Sequence, residues 1–277
     1  MKIFDCFKFF NELELLELRL MELDDTVDYF ILVEANKTHT GKPKEFIFEQ
    51  NKDRFSKYLH KIVNIQVTQM PPYSTEDIWA GENFQRNMIM VGLNALAKPG
   101  DKVIVSDVDE IPNVDVIRAN LTNPNWVTFR QKLFYYYVNC QQNCMWDGSI
   151  MAEFGTFNSP QQLRFAARGS AYDPQPNGGW HYSFMGGAER VRTKVESIAE
   201  SHIIIDEVGN VEDIERKMRT QVDLWGRTES YAEKFLVDIT NDAPRCIREF
   251  LRKYPYFYFD PSTDGLDATA AVASKGL

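Results

Sequence analysis

Lys102-Val103-Ile104-Val105-Ser106-Asp107-Val108-Asp109-Glu110-Ile111-Pro112 is the stretch from which the fold can be read. The apolar run Val103 to Val105 gives way to three carboxylates within four residues, and Pro112 stops the pattern. A short continuous apolar run bounded by turn signals suits a strand buried on both faces. In an open α/β sheet, ligands gather beyond the carboxyl ends of such strands. Asp107 and Asp109 are two apart, so an extended chain would aim both side chains the same way. Two hard oxygen donors on one side suit Mg2+ or Mn2+ bridging substrate phosphates. The bland alternative is a solvated acidic turn. A calcium EF-hand loop is excluded, because the sixth position from Asp107 is Pro112 rather than Gly and the fifth is apolar Ile111.

Working outward, the first half alternates strands and helices. Lys2 to Phe9 reads as a strand, and Asn11 as the N-cap of a helix with acids Glu12 and Glu14 in its first turn. Leu13, Leu16, Leu20 and Leu23 form one apolar stripe. Tyr29 to Val33 and Lys61 to Val67 read as further strands, with a loop at Gly41-Lys42-Pro43. Glu82 to Leu96 is helical by period and ends at Pro99-Gly100. This order is the signature of an α/β fold with a mixed, mostly parallel central sheet and flanking helices.

The second half changes character. Trp126 to Asn139 and Ile150 to Phe157 read as strands of an antiparallel extension, and Asn177-Gly178-Gly179 as a tight turn leading into Trp180-His181. Helices are expected over 188–200, along Ile214, Met218, Val222 and Trp225, over 228–237, and over 244–253. The chain is expected to be one domain over 1–259, with the first half ending at Pro112. Residues 260–277 lack aromatics and periodicity and are expected to be a disordered tail.

The 277 residues carry a net charge of −9, which argues against nucleic acid as a partner. No run of 18 apolar residues exists, so no transmembrane segment is expected, and the N-terminus does not read as a signal peptide. Four cysteines, Cys6, Cys140, Cys144 and Cys246, suggest reduced thiols and a cytoplasmic setting.

Several blocks now fall into order: Asp5-Cys6-Phe7 with Phe9-Phe10-Asn11-Glu12; Val33-Glu34-Ala35-Asn36 with Thr38-His39-Thr40-Gly41-Lys42-Pro43; Glu82-Asn83-Phe84-Gln85-Arg86-Asn87; Ser106 to Pro112; and Gly179-Trp180-His181. Together they resemble glycosyltransferase family 17, the β-1,4-mannosyl-glycoprotein β-1,4-N-acetylglucosaminyltransferase family and its bacterial and viral relatives. The likeness runs over roughly residues 1 to 200. It implies a GT-A-type fold, with 1–112 as the nucleotide-binding half and 113–259 as the acceptor half with C-terminal helices. It also implies a UDP-sugar donor, N-acetylglucosamine first, and inversion at the sugar C1. The acceptor would be a glycan or other carbohydrate, with a β-1,4 linkage. Its Asp-x-Asp motif maps onto Asp107 and Asp109 as holders of Mn2+ or Mg2+. The chain departs from the animal members in lacking an anchor and stem, which puts the glycoprotein acceptor in doubt.

The chemistry needs a stabilised leaving group and an activated acceptor hydroxyl. Asp107 and Asp109 would serve the first need, with His181 as a candidate third ligand, although a lone His is more often simply hydrogen-bonded. Glu189, after Gly186-Gly187 at a helix start, is the first choice of general base, and Asp147 the second. Both could equally be ordinary turn acids. Donor contacts are expected from Phe10, Asn11, Glu12, Glu34, Gln85, Arg86, Glu110 and Trp180. Arg86 could instead pair with the acidic cluster, Glu110 could be a plain turn acid, and Trp180 could be core. Two other functions fit the same metal–diphosphate chemistry: a nucleotidyltransferase or phosphohydrolase, and a non-catalytic carbohydrate-binding relic. The former would want a glycine-rich phosphate loop, and residues 1–15 contain no Gly.

Overall fold

Ile3-Phe4-Asp5-Cys6-Phe7-Lys8-Phe9 places apolar side chains at nearly every position, and it forms a strand covered on both faces, β1 (Ile3–Phe9). The computed structural model describes residues 1–170, 172–227, 233–240 and 242–263. After β1 come α1 (Leu13–Leu23), β2 (Tyr29–Ala35), the short α2 (Ile47–Asn51), β3 (Ile62–Val67), α3 (Ala80–Asn87), α4 (Ile89–Leu96) and β4 (Lys102–Asp107). Next are β5 (Glu110–Pro112), α5 (Val114–Ala119), β6 (Val127–Tyr135), β7 (Cys140–Glu153) and α6 (Pro160–Ser170). The chain continues through β8 (Gly179–Ser183), α7 (Ala188–Ser197), α8 (Ser201–Val208), α9 (Val211–Thr220), β9 (Lys234–Leu236) and α10 (Ile247–Lys253). The residues group into two units, Met1–Gln131 with Asp147–Gly179, and Lys132–Trp146 with Trp180–Leu277. Among the described residues no helix is long and apolar enough to cross a membrane.

In the first unit, β3, β2, β1 and β4 pair in that order, all parallel, and the far end of β7 pairs antiparallel with β4. The sheet is therefore mixed. Successive side chains of a strand point to opposite faces, and the two faces carry separate cores. Ile3, Phe7 and Phe9, with Phe30, Leu32 and Ile104, pack with Leu16, Leu20 and Leu23 of α1. Phe4 and Cys6, with Ile31, Val33, Val103 and Val105, pack with Ile89 and Leu93 of α4 and Leu163 and Ala167 of α6. The same alternation sends Asp5 and Ser106 to the α1 face and Lys8 and Asp107 to the other, and this sorting builds the site described below.

In the second unit, the end of β6 pairs parallel with β8, from Lys132 opposite Trp180 to Tyr135 opposite Ser183, and the start of β7 pairs antiparallel with β9. Leu133, Tyr135, Tyr136 and Phe184 pack with Val191 and Val195 of α7, Val208 of α8, and Ile214 and Met218 of α9. A capping box of Asn210 and Asp213 starts α9.

Several boundaries differ from expectation for local reasons. Asn11 does not cap α1; Glu12 is the N-cap, and its carboxylate folds back to accept from the Phe10 and Asn11 N–H groups. The helix expected over 82–96 is two helices divided at Met88, whose N–H is shared between the Phe84 and Gln85 carbonyls. β6 stops at Tyr135 because Tyr136 takes a left-handed φ of 69°. The strand expected over 150–157 begins instead at Cys140 and ends at Glu153, two residues before Gly155 at φ 99°. Trp180 and His181 lie on β8, not in a turn. The helix expected along Ile214 to Trp225 ends at Thr220, where Gln221 turns left-handed at φ 56°. Of the helix expected over 228–237, residues 228–232 lie outside the described residues, and Lys234–Leu236 is strand. Pro261–Thr263 forms a 3-10 turn, and the rest of the expected tail, 264–277, also lies outside the described residues. Helix α6 was not anticipated, although Pro160 at its first position is a start signal.

Gly179 takes φ 129°, and a Cβ there would sit 2.1 Å from the Ile111 carbonyl oxygen and 2.9 Å from the Asn113 nitrogen. The Asn113 N–H donates to the Gly178 carbonyl, so backbone meets backbone at this point. Gly179→Ala is expected to cost about 2 kcal/mol or more in urea unfolding, from strain plus forced separation of these segments.

Candidate functional site

The candidate site lies at the carboxyl ends of β1 and β4 in the first unit. Extended geometry ends at Asp107, because Val108 and Asp109 form a turn before β5. The argument that two-residue spacing aims Asp107 and Asp109 alike therefore does not apply; their directions are set by the turn. Val108 anchors that turn in the core on the α1 face.

Asp107 emerges on the face that carries α3 and α6 and meets three cations. Its Oδ1 accepts from Arg86 Nη2 (3.2 Å) and lies 3.3 Å from Lys8 Nζ, and its Oδ2 accepts from Arg164 Nη2 (3.0 Å). Arg164 also donates through Nη1 to Glu110 Oε2 (2.8 Å). The same Glu110 oxygen accepts from the Asp107 N–H (2.9 Å), closing the turn. Arg86 donates to Glu82 Oε1 (2.6 Å) and to Gln161 Oε1 (2.5 Å), and Lys8 reaches Glu82 at 3.0 Å. Arg86, Arg164, Glu110 and Asp109 are all buried.

On the opposite face Arg19 is completely buried. Its guanidinium forks onto Asp5, Nε to Oδ2 at 2.7 Å and Nη2 to Oδ1 at 2.5 Å, and Nη2 also donates to Ser106 Oγ at 2.5 Å. Nη1 donates to the carbonyls of Asp107 (3.0 Å), Val108 (3.3 Å) and Glu110 (2.7 Å). The acidic turn is thus held by its side chains from one face and by its backbone from the other.

Burial opposes charge on Asp107, but Arg164, Lys8 and Arg86 outweigh it and hold the carboxyl well below its ordinary range. Burial likewise opposes charge on Glu82, and Lys8 and Arg86 pull it far down. Burial lowers the His39 pKa, so this imidazole, hydrogen-bonded to Gln85 Oε1 at 2.9 Å, is neutral at neutral pH. Arg164 is held charged despite burial by Asp107 and Glu110.

Other residues singled out in the sequence have the following places. The Gln85 amide ties the ends of β1 and β2 together, donating to Val33 O (2.9 Å) and Phe9 O (3.5 Å). Glu34 accepts from Lys44 Nζ and from the N–H groups of Ile47 and Phe48, at the start of α2. Lys44 Nζ lies over the Phe10 ring at 5.7 Å. Asp147 is held in a fork by Arg130 (3.1 and 2.8 Å). Three candidates belong to the second unit. Trp180 is buried, with its indole N–H donating to Asp242 O; His181 packs 4.6 Å from the Trp146 ring; Glu189 is exposed on the first turn of α7.

Among the described residues no group of three or more His, Cys, Asp or Glu side chains is placed to hold a metal ion. A hard cation held with substrate phosphates needs only one or two carboxylates and keeps its waters. The Asp107–Glu110 turn carries oxygen donors of that type, and both Asp107 oxygens face cations of the protein itself.

Sequence reasoning did not single out Lys8, Arg19, Glu82 or Arg164 for the site. Arg19 carried a signal: it falls between Leu16 and Leu23 at spacings of three and four, a cation on the apolar stripe of α1. Arg164 carried none, because its helix was not anticipated.

The model described as Glycosyltransferase family 17 matches residues 1–227. The chain is also similar to the human protein named Beta-1,4-mannosyl-glycoprotein 4-beta-N-acetylglucosaminyltransferase, 32% identical over 110 residues, 38% of this chain and 21% of that protein. The rat protein of the same name is 32% identical over 110 residues, 38% of this chain and 20% of its own. The aligned stretch thus spans about a fifth of each relative's length.

Asp107→Asn leaves three cations facing a neutral group, though each keeps Glu82 or Glu110, and is expected to cost about 1–3 kcal/mol at pH 7 in urea unfolding. Asp107 and Glu82 have folded pKa values below their unfolded ones. Their contribution is therefore complete above about pH 4.5 and drains away as the pH falls through the depressed folded values. Midpoints measured from pH 6 to pH 2 are expected to fall, and to fall less steeply for Asp107→Asn.

Proposed function

Because the chain belongs to glycosyltransferase family 17, we propose that it transfers N-acetylglucosamine from a UDP-sugar to a carbohydrate hydroxyl, with inversion and a β-1,4 linkage. The observation that carries this reading is the family match over residues 1–227, which includes the carboxylate turn at the end of β4. The names of the human and rat relatives support the choice of sugar and of a glycan acceptor. We place the turn in a GT-A-type nucleotide-binding half. The four cysteines are free thiols, which supports a reducing, cytoplasmic setting.

Asp109, with Asp107, is the group we assign to Mn2+ or Mg2+. When bound, such an ion offsets the charge that grows on the departing diphosphate. The chain's own part is to hold the two carboxylates still. Arg164 bridges Asp107 and Glu110, so the side chains at both ends of the turn share one guanidinium. Lys8 and Arg86 keep Asp107 ionised, since each favours its charged form. Phe10, Asn11, Glu12, Glu34, Gln85, Arg86, Glu110 and Trp180 are kept as donor-side candidates. Of these, Gln85 and Glu34 act through the loops they tether, by the hydrogen bonds described above. Glu189, exposed at the start of α7 behind Gly187, is proposed to take the proton from the acceptor hydroxyl, with Asp147 as the second choice.

The test is incubation with Mn2+ and a panel of nucleotide sugars, with and without a mannose-containing glycan, measuring free nucleoside diphosphate and glycan mass. Release of UDP from UDP-N-acetylglucosamine with a matching mass gain is expected; absence of release or binding with every UDP-sugar sinks the reading. Asp109→Asn is expected to lower turnover by more than about 100-fold.

A further inference from the structure

We infer that Arg19 is a positioning residue: from inside the α1 face it grips the backbone of the Asp107–Glu110 turn and so fixes where the carboxylates of the candidate site stand. The functional part of this inference rests on the glycosyltransferase reading above; the grip itself does not.

Arg19 is an unusual occupant of its place. It lies in α1, among leucines that pack on an apolar sheet face, with no exposed surface of its own. A cation buried in this way is costly unless paired and fully hydrogen-bonded. One carboxylate, Asp5, supplies the pairing. Stability alone would ask for no more, and an apolar pair of similar volume would serve as well or better. The remaining capacity of the guanidinium is spent on the acidic turn: the carbonyls of Asp107, Val108 and Glu110 and the hydroxyl of Ser106. Phe7, with its ring centroid 4.5 Å from the Arg19 guanidinium carbon, closes over the head group.

Geometry explains why only an arginine does this. The planar fork presents five donors in fixed directions: the Nε–Nη2 edge binds Asp5, Nη2 also reaches Ser106, and the two N–H groups of Nη1 are shared among three carbonyls. A lysine has one nitrogen and can keep the charge pair but not the spread. Other ties hold side chains or the first N–H: Arg164 joins the Asp107 and Glu110 carboxylates, the Glu110 carboxylate accepts the Asp107 N–H, and Val108 packs below. Val108 and Asp109 lie outside any strand, and Arg19 grips the carbonyls of Asp107, Val108 and Glu110 around them. A shift of about 1 Å in such a turn is enough to cost a carboxylate site on the order of a hundredfold.

The experiment compares the full-length protein with three variants. Arg19→Lys keeps the charge and loses the fork. The double change Asp5→Asn with Arg19→Met removes the pair together and guards against a failure to fold. Leu23→Ala, in the same helix and core, serves as a control for simple destabilisation. Amide hydrogen exchange over residues 106–111 is measured without ligand, and UDP affinity is measured by calorimetry with and without Mn2+. Where turnover is found, kcat and KM are taken against Mn2+ concentration.

Arg19→Lys and the double variant are expected to speed exchange across 107–110 at least tenfold, against unchanged rates in β2 and β3. They are also expected to weaken Mn2+-dependent UDP binding at least tenfold, with the loss carried by the half-saturating Mn2+ concentration. Leu23→Ala should lower the thermal midpoint without either change. Exchange and UDP affinity in Arg19→Lys equal to those of the unaltered protein would overturn the positioning role, as would the same pattern in Leu23→Ala. Failure of the unaltered protein to bind UDP at all would instead overturn the glycosyltransferase reading, and the exchange rates would still decide the grip.

Discussion

A strand covered on both faces can place a charge cheaply only at its end, and this constraint governs the first unit. β1 and β4 are apolar through their middles and carry Lys8 and Asp107 at or next to their last positions. Where charge is buried deeper, at Asp5, it comes with its partner Arg19. Strand alternation then sorts the groups. Asp5 and Ser106 turn to α1 and meet a single guanidinium; Lys8 and Asp107 turn to the helices on the other side and meet Arg86, Arg164 and Glu82. The acidic turn is where the two sets join.

The result is a balanced network rather than an open acidic pocket. Asp5, Glu82, Asp107 and Glu110 face Lys8, Arg19, Arg86 and Arg164 through contacts of 2.5–3.3 Å. In surroundings of low dielectric such contacts are strong; removing Asp5 strands Arg19, whereas Lys8, Arg86 and Arg164 each have a second carboxylate. That coupling bears on chemistry. A divalent ion approaching Asp107 enters a field already set by three cations.

The ends of the strands are further tied by groups outside this network. Gln85 bridges the Phe9 carbonyl that ends β1 and the Val33 carbonyl near the end of β2, and holds the uncharged His39 of the following loop. Glu34 holds the start of α2 through backbone N–H groups. These side chains sit where a nucleotide would be sought by the strand-end rule, yet their hydrogen bonds go to the protein's own loops. The strand-end rule locates a region; it does not say which side chains in it are turned outward.

Much of the frame was legible in the sequence. The apolar run of β4, the leucine stripe of α1 and the helix–strand alternation up to residue 107 follow from periodicity, because buried strands and amphipathic helices must repeat the same residue types at fixed intervals. The family resemblance was legible as ordered blocks, and the match over residues 1–227 bears it out. Boundaries set by a single backbone angle, at Tyr136 and Gln221, were not, since nothing in their side chains demands φ > 0. Nor were the partners of Asp107: Arg86 and Arg164 lie 21 and 57 residues away, and only the packing of α3 and α6 on one face brings them to it. The sequence by itself determined which residues had to be buried and which strand would end in carboxylates. Tertiary structure alone decided what those carboxylates face, because a charge meets its partner through distances in space that no local spacing encodes.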